Sequence, residues 1–205
     1  MKDTKSKPIK TYPTISACGL DCGLCPRYYT AGPSRCPGCC GPDFFNKHPT
    51  CSTITCCVKN KNLEVCGECS KFPCPKFKKP EEYQKLETSS YPPYRKMVPN
   101  LNFIKKHGIK SFITEQKKRI RLLEKMIKDF DDGRSRSFYC RAAALLDIPS
   151  LENSINDAKQ RISSGDIKIQ AKFLREVLNQ SALKQGVELF MKVSKITRKN
   201  MKAKM

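Results

Sequence analysis

The sequence predicts a mainly α-helical protein with a small, irregular, cysteine-rich metal-binding module and few short strands. Three observations point there. Twelve of the thirteen cysteines fall between Cys18 and Cys74. That stretch is rich in Pro and Gly and poor in large apolar residues, so hydrophobic burial alone cannot fold it and cross-links must. Beyond about residue 100 the apolar residues recur at helical spacing.

The elements follow in chain order. Residues 1–14 read as a basic, disordered lead carrying Lys2, Lys5, Lys7 and Lys10. Residues 15–77 are the cysteine module, expected as turns and knuckles. Residues 78–99 read as a linker with Pro80, Pro92, Pro93 and Pro99, interrupted by a short helix from Glu81 to Glu87. Residues 100–193 are mostly helical. Ile113, Ile120, Leu123, Ile127 and Phe130 make one apolar stripe on a helix of about five turns. Asp131-Asp132-Gly133 should end it. Phe138 to Leu146 is alanine-rich and reads as a short buried helix. Pro149 should stop it, with Ser150 capping the next. Leu151, Ile155, Ala158 and Ile162 then form a third stripe closed by Gly165, and Ile167, Ala171, Leu174 and Leu178 a fourth closed by Gly186. Val187, Leu189, Met191 and Val193 alternate, which predicts one strand. Residues 194–205 are a basic tail.

The cysteines call for disulfides or for metal. The lysine-rich start, Met1 to Lys10, has no apolar run like that of a secretory signal. No stretch approaches the roughly 18 apolar residues of a membrane span. The expected compartment is therefore the cytoplasm, where disulfide frameworks are rare. Cys22–Cys25, Cys36–Cys39 and Cys66–Cys69 are C-x2-C pairs, which set two thiolates on one tight turn at a tetrahedral bite. The cysteine count is odd, which a closed disulfide set does not favour. Metal is the better reading.

Four thiolates close a structural zinc site, which could contribute roughly 10–16 kcal/mol to folding. One partition puts Cys22, Cys25, Cys36 and Cys39 in a first site and Cys56, Cys66, Cys69 and Cys74 in a second. Cys18 and Cys51 are then spare or replace a member, and cross-braced pairings are equally allowed. Two zinc ions are expected. The alternative is a four-iron four-sulfur cluster, since Cys18, Cys22 and Cys25 form C-x3-C-x2-C and Cys25, Cys36 and Cys74 each precede proline. Cys40 and Cys57 each stand beside another cysteine and read as spare small hydrophobes. Cys140, next to Ala142 and Ala143, reads as core. His48 lies between two ligand pairs but reads as a surface residue, and His107, before Gly108, as a turn residue.

Three segments carry a resemblance. Ala17-Cys18-Gly19-Leu20-Asp21-Cys22-Gly23-Leu24-Cys25, Cys36-Pro37-Gly38-Cys39 and Cys66-Gly67-Glu68-Cys69-Ser70-Lys71-Phe72-Pro73-Cys74 are similar to the cysteine-rich family known as domain of unknown function 3795. The likeness continues through Asp132 to Cys140 and on to Gly186-Val187-Glu188-Leu189. It implies a zinc-binding domain without an assigned reaction. Of the cysteines, it implies roles for Cys18, Cys22, Cys25, Cys36, Cys39, Cys51, Cys56, Cys66, Cys69 and Cys74, and makes Cys40 and Cys57 additional.

No H-E-x-x-H, phosphate-binding Gly loop or nucleophile elbow is present. An enzyme is the less expected class, with a thiol-based oxidoreductase acting through Cys40 or Cys57 as its form. Glu64 and Glu68 flank Cys66 and are expected on the surface. Lys and Arg number 40 against 19 Asp and Glu, a formal charge of +21. Eight zinc-bound thiolates carry −8 and two zincs +4, which lowers this to about +17. Such a charge suits either an RNA or DNA partner, beside a protein partner, or simply a lysine-rich solvated surface. Lys117-Lys118-Arg119 with Arg121, and the basic tail, would meet phosphates. Tyr28, Tyr29, Phe44 and Phe45 would stack on bases or cover the metal.

Overall fold

The computed structural model describes residues 9–49, 51–77, 92–161 and 165–189. Five long helices dominate them: α1 (Met97–His107), α2 (Ile109–Phe130), α3 (Arg136–Leu145), α4 (Ile148–Arg161) and α5 (Ile167–Lys184). The cysteine module is built of 3-10 turns and short helical pieces. Among the described residues the only β-pairing is an isolated bridge between Ile15 and Asp21.

The expected stripe of α2 is the spine of the helical part. Ile113, Leu123, Met126 and Phe130 are buried, and Ile120 and Ile127 pack alongside. Leu123, Met126 and Phe130 meet Phe138, Tyr139 and Cys140 of α3, Leu151 and Ile155 of α4, and Leu174 and Leu178 of α5. Cys140 is thus core, as its alanine-rich setting predicts. The stripe contains one polar residue, Gln116, which is also buried. Its amide is satisfied by the module: Nε2 donates to Thr14 O at 2.9 Å and to Asp21 Oδ1 at 2.7 Å, and Oε1 accepts from Thr14 Oγ1 at 2.7 Å. A buried amide with its hydrogen bonds made is tolerated where an unpaired one would not be.

Several expectations are corrected. The stretch 92–99 is helical rather than a linker: Pro92–Lys96 is a 3-10 helix leading into α1. Pro99 falls in the first turn of α1, where a missing N–H costs nothing. The expected helix Glu81–Glu87 lies outside the described residues. Pro149 does not stop a helix, since it sits in the first turn of α4. Asp147 rather than Ser150 caps that turn, accepting from the Ser150 N–H at 2.7 Å. Asp131-Asp132-Gly133 does more than end α2, because Asp132 Oδ1 accepts from the N–H groups of Arg134 and Ser135 at the start of α3. Residues 187–189 do not form a strand; Leu189 is buried on the helical core and its carbonyl accepts from Arg141 Nε at 2.6 Å. Residues 190–193 and the tail lie outside the described residues. Residues 9–14 of the lead are placed against the module: Ile9 N donates to Cys40 O at 3.0 Å, and Lys10 is buried with Nζ donating to Ile15 O at 2.5 Å, while residues 1–8 lie outside the described residues.

The module and the helices share their apolar cores. Leu24 belongs to the α2–α5 core. Ile15, Val65, Phe72 and Phe77 pack with Leu101 and Ile104 of α1 and Phe112 and Ile113 of α2. The module's own small core is largely sulfur: Cys39, Cys40 and Cys57 with Ala17, Phe44, Ile54 and Val58. Two glycines let its knuckles press on α1. A Cβ on Gly19, whose φ is +88°, would stand 2.2 Å from Met97 O, and one on Gly67 would stand 2.6 Å from Leu101 O. Neither distance is accessible to a side chain, so glycine is required at both.

Candidate metal centre

All thirteen cysteines are free. Cys56, Cys57, Cys66, Cys69 and Cys74 line one cavity of about 310 Å³. Three local structures bring them there. The helical turn Ser52–Ile54 runs into a π turn, Thr55–Lys59, which carries Cys56 and Cys57. The C-x2-C pair is a knuckle on the 3-10 turn Cys66–Glu68, with Cys69 N donating to Cys66 O at 3.1 Å. Glu68 Oε2 accepts from the backbone N–H groups of Glu64 and Val65, which braces that turn. Cys74 follows a loop held from α1 by Lys105 Nζ, which donates to Phe72 O at 2.7 Å. Lys76 Nζ reaches Ser52 Oγ at 2.9 Å and ties the Cys74 loop to the Cys56 helix.

Lysines 61, 71 and 76 edge this cavity. Lys61 Nζ donates to Cys69 Sγ at 3.0 Å, and that bond holds the Cys69 thiol below its ordinary value. Contact with Cys57, and then burial, push the Cys66 thiol up. Thiolate is the ligand form, and cations around the rim favour it.

The remaining sulfurs stand as a series of neighbours. Cys39, Cys18 and Cys25 lie near enough to Cys22 to raise its thiol electrostatically, and Cys36 does the same to Cys25. Burial raises the Cys22 thiol most, and these neighbours raise it further. Cys39 Sγ lies 4.0 Å from Cys40 Sγ, and Lys10 sets its charge beside both. Cys51 Sγ accepts from Ile54 N at 3.4 Å, so it caps the turn ahead of Cys56. Its thiol also neighbours those of Cys18 and Cys40. Cys140 approaches this series through Cys25; burial, then Cys25, push its thiol up to about 12.

His48 is not a free surface residue. Its ring stacks on Phe44 at 4.9 Å between centroids, and Nε2 lies 3.4 Å from Cys36 Sγ. No spacing rule pointed to this pair, because the contact is made by the fold of residues 41–48. Among the described residues no three His, Cys, Asp or Glu side chains already converge on a common point at ligating distance. A bound ion would have to draw the thiols inward.

Comparison with family models, with curated proteins and with solved structures gives no match to this chain. The reading of the site therefore rests on its own chemistry. Five soft donors on one cavity suit zinc or an iron–sulfur cluster and are poor ligands for hard cations. No helix among the described residues is long and apolar enough to cross a membrane. The aromatics of the module are engaged: Phe44 is buried, Tyr29 Oη donates to Gly23 O at 2.9 Å, and Tyr28 lies under Arg35. Phe45, partly exposed, has Lys59 over its ring.

Proposed function

We propose that this chain is a zinc-binding protein, akin to the family of unknown function its motifs resemble. Its thiolate-held ions fasten the cysteine module to the helices and leave a basic helical face for a polyanionic partner. One observation carries the reading: Cys56, Cys66, Cys69 and Cys74, scattered over nineteen positions of sequence, line a single cavity. The lysines at its edge would offset the net negative charge of four thiolates around a divalent ion. The second ion takes its thiolates from among Cys18, Cys22, Cys25, Cys36, Cys39 and Cys51. Cys40 and Cys57 are buried, which favours packing over the exposed attacking thiol of an oxidoreductase.

The cavity volume favours a second reading on one count. About 310 Å³ exceeds what one ion with Zn–S bonds near 2.3 Å needs, and a four-iron four-sulfur cluster would use it. Protein purified without oxygen separates the two by elemental analysis and colour. Zinc with no visible absorption supports the first reading. Iron and sulfide with broad visible absorption establish the second. Absence of both metals sinks the proposal. Cys66→Ser is expected to remove one ion.

A further inference from the structure

The module holds a second constellation of donors whose make-up differs from that of the thiol cavity. Cys25 ends the first C-x2-C knuckle, with Cys25 N donating to Cys22 O at 3.2 Å and Tyr28 N to Cys25 O at 2.9 Å. Cys36 is laid against that knuckle by its own backbone, since Cys36 N donates to Arg27 O at 2.9 Å. Cys36 lies close enough to Cys25 to raise its thiol electrostatically. His48 supplies a nitrogen beside Cys36. The short helix Phe44–Lys47 ends on it, and Lys47 Nζ donates to Arg35 O at 2.8 Å, which clips that helix to the residue before Cys36. Ring stacking on Phe44 fixes the imidazole plane, and Nε2 meets Cys36 Sγ at 3.4 Å. All three side chains are half-buried, so an ion can reach them. Among the charged neighbours of Cys22, the partner of Cys25 in its C-x2-C pair, Cys39 acts most strongly.

We infer that Cys25, Cys36 and His48 form a mixed thiolate–imidazole centre for a borderline divalent ion such as zinc. This rests on the reading of the chain as a metal protein and assigns its second ion. Two sulfurs and one nitrogen are a common zinc donor set. With three protein ligands, one position stays available to water or a small soft donor, which a closed tetrathiolate lacks. Arg27 lies beside Cys25 and His48, so it would help hold the thiolates charged.

The test is anaerobic cobalt(II) titration of the full chain, read by visible absorption and by bound metal per chain. His48→Ala is expected to bind one cobalt fewer than the natural chain while Cys66→Ser loses a different one. His48→Cys should regain the ion with stronger sulfur-to-cobalt charge transfer, which a packing role for the ring would not produce. If His48→Ala binds as many ions with the same spectrum, this centre is refuted, and a loss in Cys66→Ser alone still supports the cavity. Failure of His48→Cys to regain the ion also overturns it. A natural chain that takes no cobalt at all overturns the metal reading itself.

Discussion

Arg119 shows how one side chain can leave the class its neighbours suggest. In sequence it belongs to a basic run, Lys117-Lys118-Arg119. In the fold its guanidinium turns inward, and Nη1 donates to Ala143 O at 2.9 Å and Leu146 O at 2.5 Å, capping the end of α3. Hydrogen bonds from a charged donor are worth more than neutral ones, so Arg119→Ala should destabilise the chain by about 2 kcal/mol in urea unfolding. Lys117→Ala, on the exposed side, should change stability by no more than about 0.5 kcal/mol. Equal effects would refute the cap. Asp132 makes a second case. Burial works to raise its carboxyl, but hydrogen bonds from Ser135, the Arg134 N–H and Arg175 outweigh it and hold the carboxyl down to about 2. Its folded value lies below the ordinary 3.8. The stability it contributes is therefore complete above about pH 4 and is lost as pH falls through about 2. Asp132→Asn should flatten the acid limb of stability between those values, and an unchanged limb would contradict the assignment.

At the scale of the element, α2 carries two different faces. Its inner stripe was legible because a 3.6-residue period survives any tertiary context. Gln116 was not, because only the Cys18–Cys25 loop folded against α2 explains a buried amide there. The outer face holds Lys110, Lys117, Arg121, Lys125 and Lys128, all exposed at helical spacing, with Glu124 the one acid among them. Five cations in one line would release counterions on binding single-stranded RNA, with log Kobs falling with log salt at a slope of about −3.5. Substituting Lys117, Arg121 and Lys125 by Ser should bring that slope to about −1.4. A slope unmoved by the triple substitution, or no RNA retention at low salt, would refute α2 as the contact. The knuckles give an element-scale test of another kind. Gly67→Ala places a Cβ against Leu101 O, a backbone atom that cannot step aside. The Cys66–Cys69 turn must then lift from α1, and both thermal stability and the metal content of the cavity should fall together.

Taken whole, the molecule is less divided than its composition. The sequence separates sharply into a cysteine-rich part and a helical part, and that much of the fold was readable from counting and spacing. Their union was not, since it depends on small residues and isolated contacts with no periodicity: Gly19 and Gly67 against α1, Leu24 in the helical core, Thr14 and Asp21 on Gln116. The ligand candidates were legible as a set for the same reason that their grouping was not. C-x2-C spacing fixes two thiols locally, whereas the closure of Cys56 and Cys74 onto Cys66 and Cys69 is made by separate turns. His48 could be placed beside Cys36 only by the fold. If the cavity holds the proposed ion, this architecture makes its removal more than a local event. Cys66, Cys69 and Cys74 pack against the cluster that contains Leu101, Ile104, Phe112 and Ile113. An ion released from the cavity would free two of the segments holding α1 and the start of α2, the Cys66–Cys69 turn and the Cys74 loop. The far core of α3, α4 and α5 has its own apolar closure. Chelation of the full chain should therefore raise amide exchange in residues 51–77, α1 and the first turns of α2, and leave α4 and α5 protected. A gradient of that kind along α2, lost toward Phe130, is the signature of cations bracing one end of a helical protein. Uniform protection in the presence of a strong chelator would mean that sulfur packing alone holds the module together.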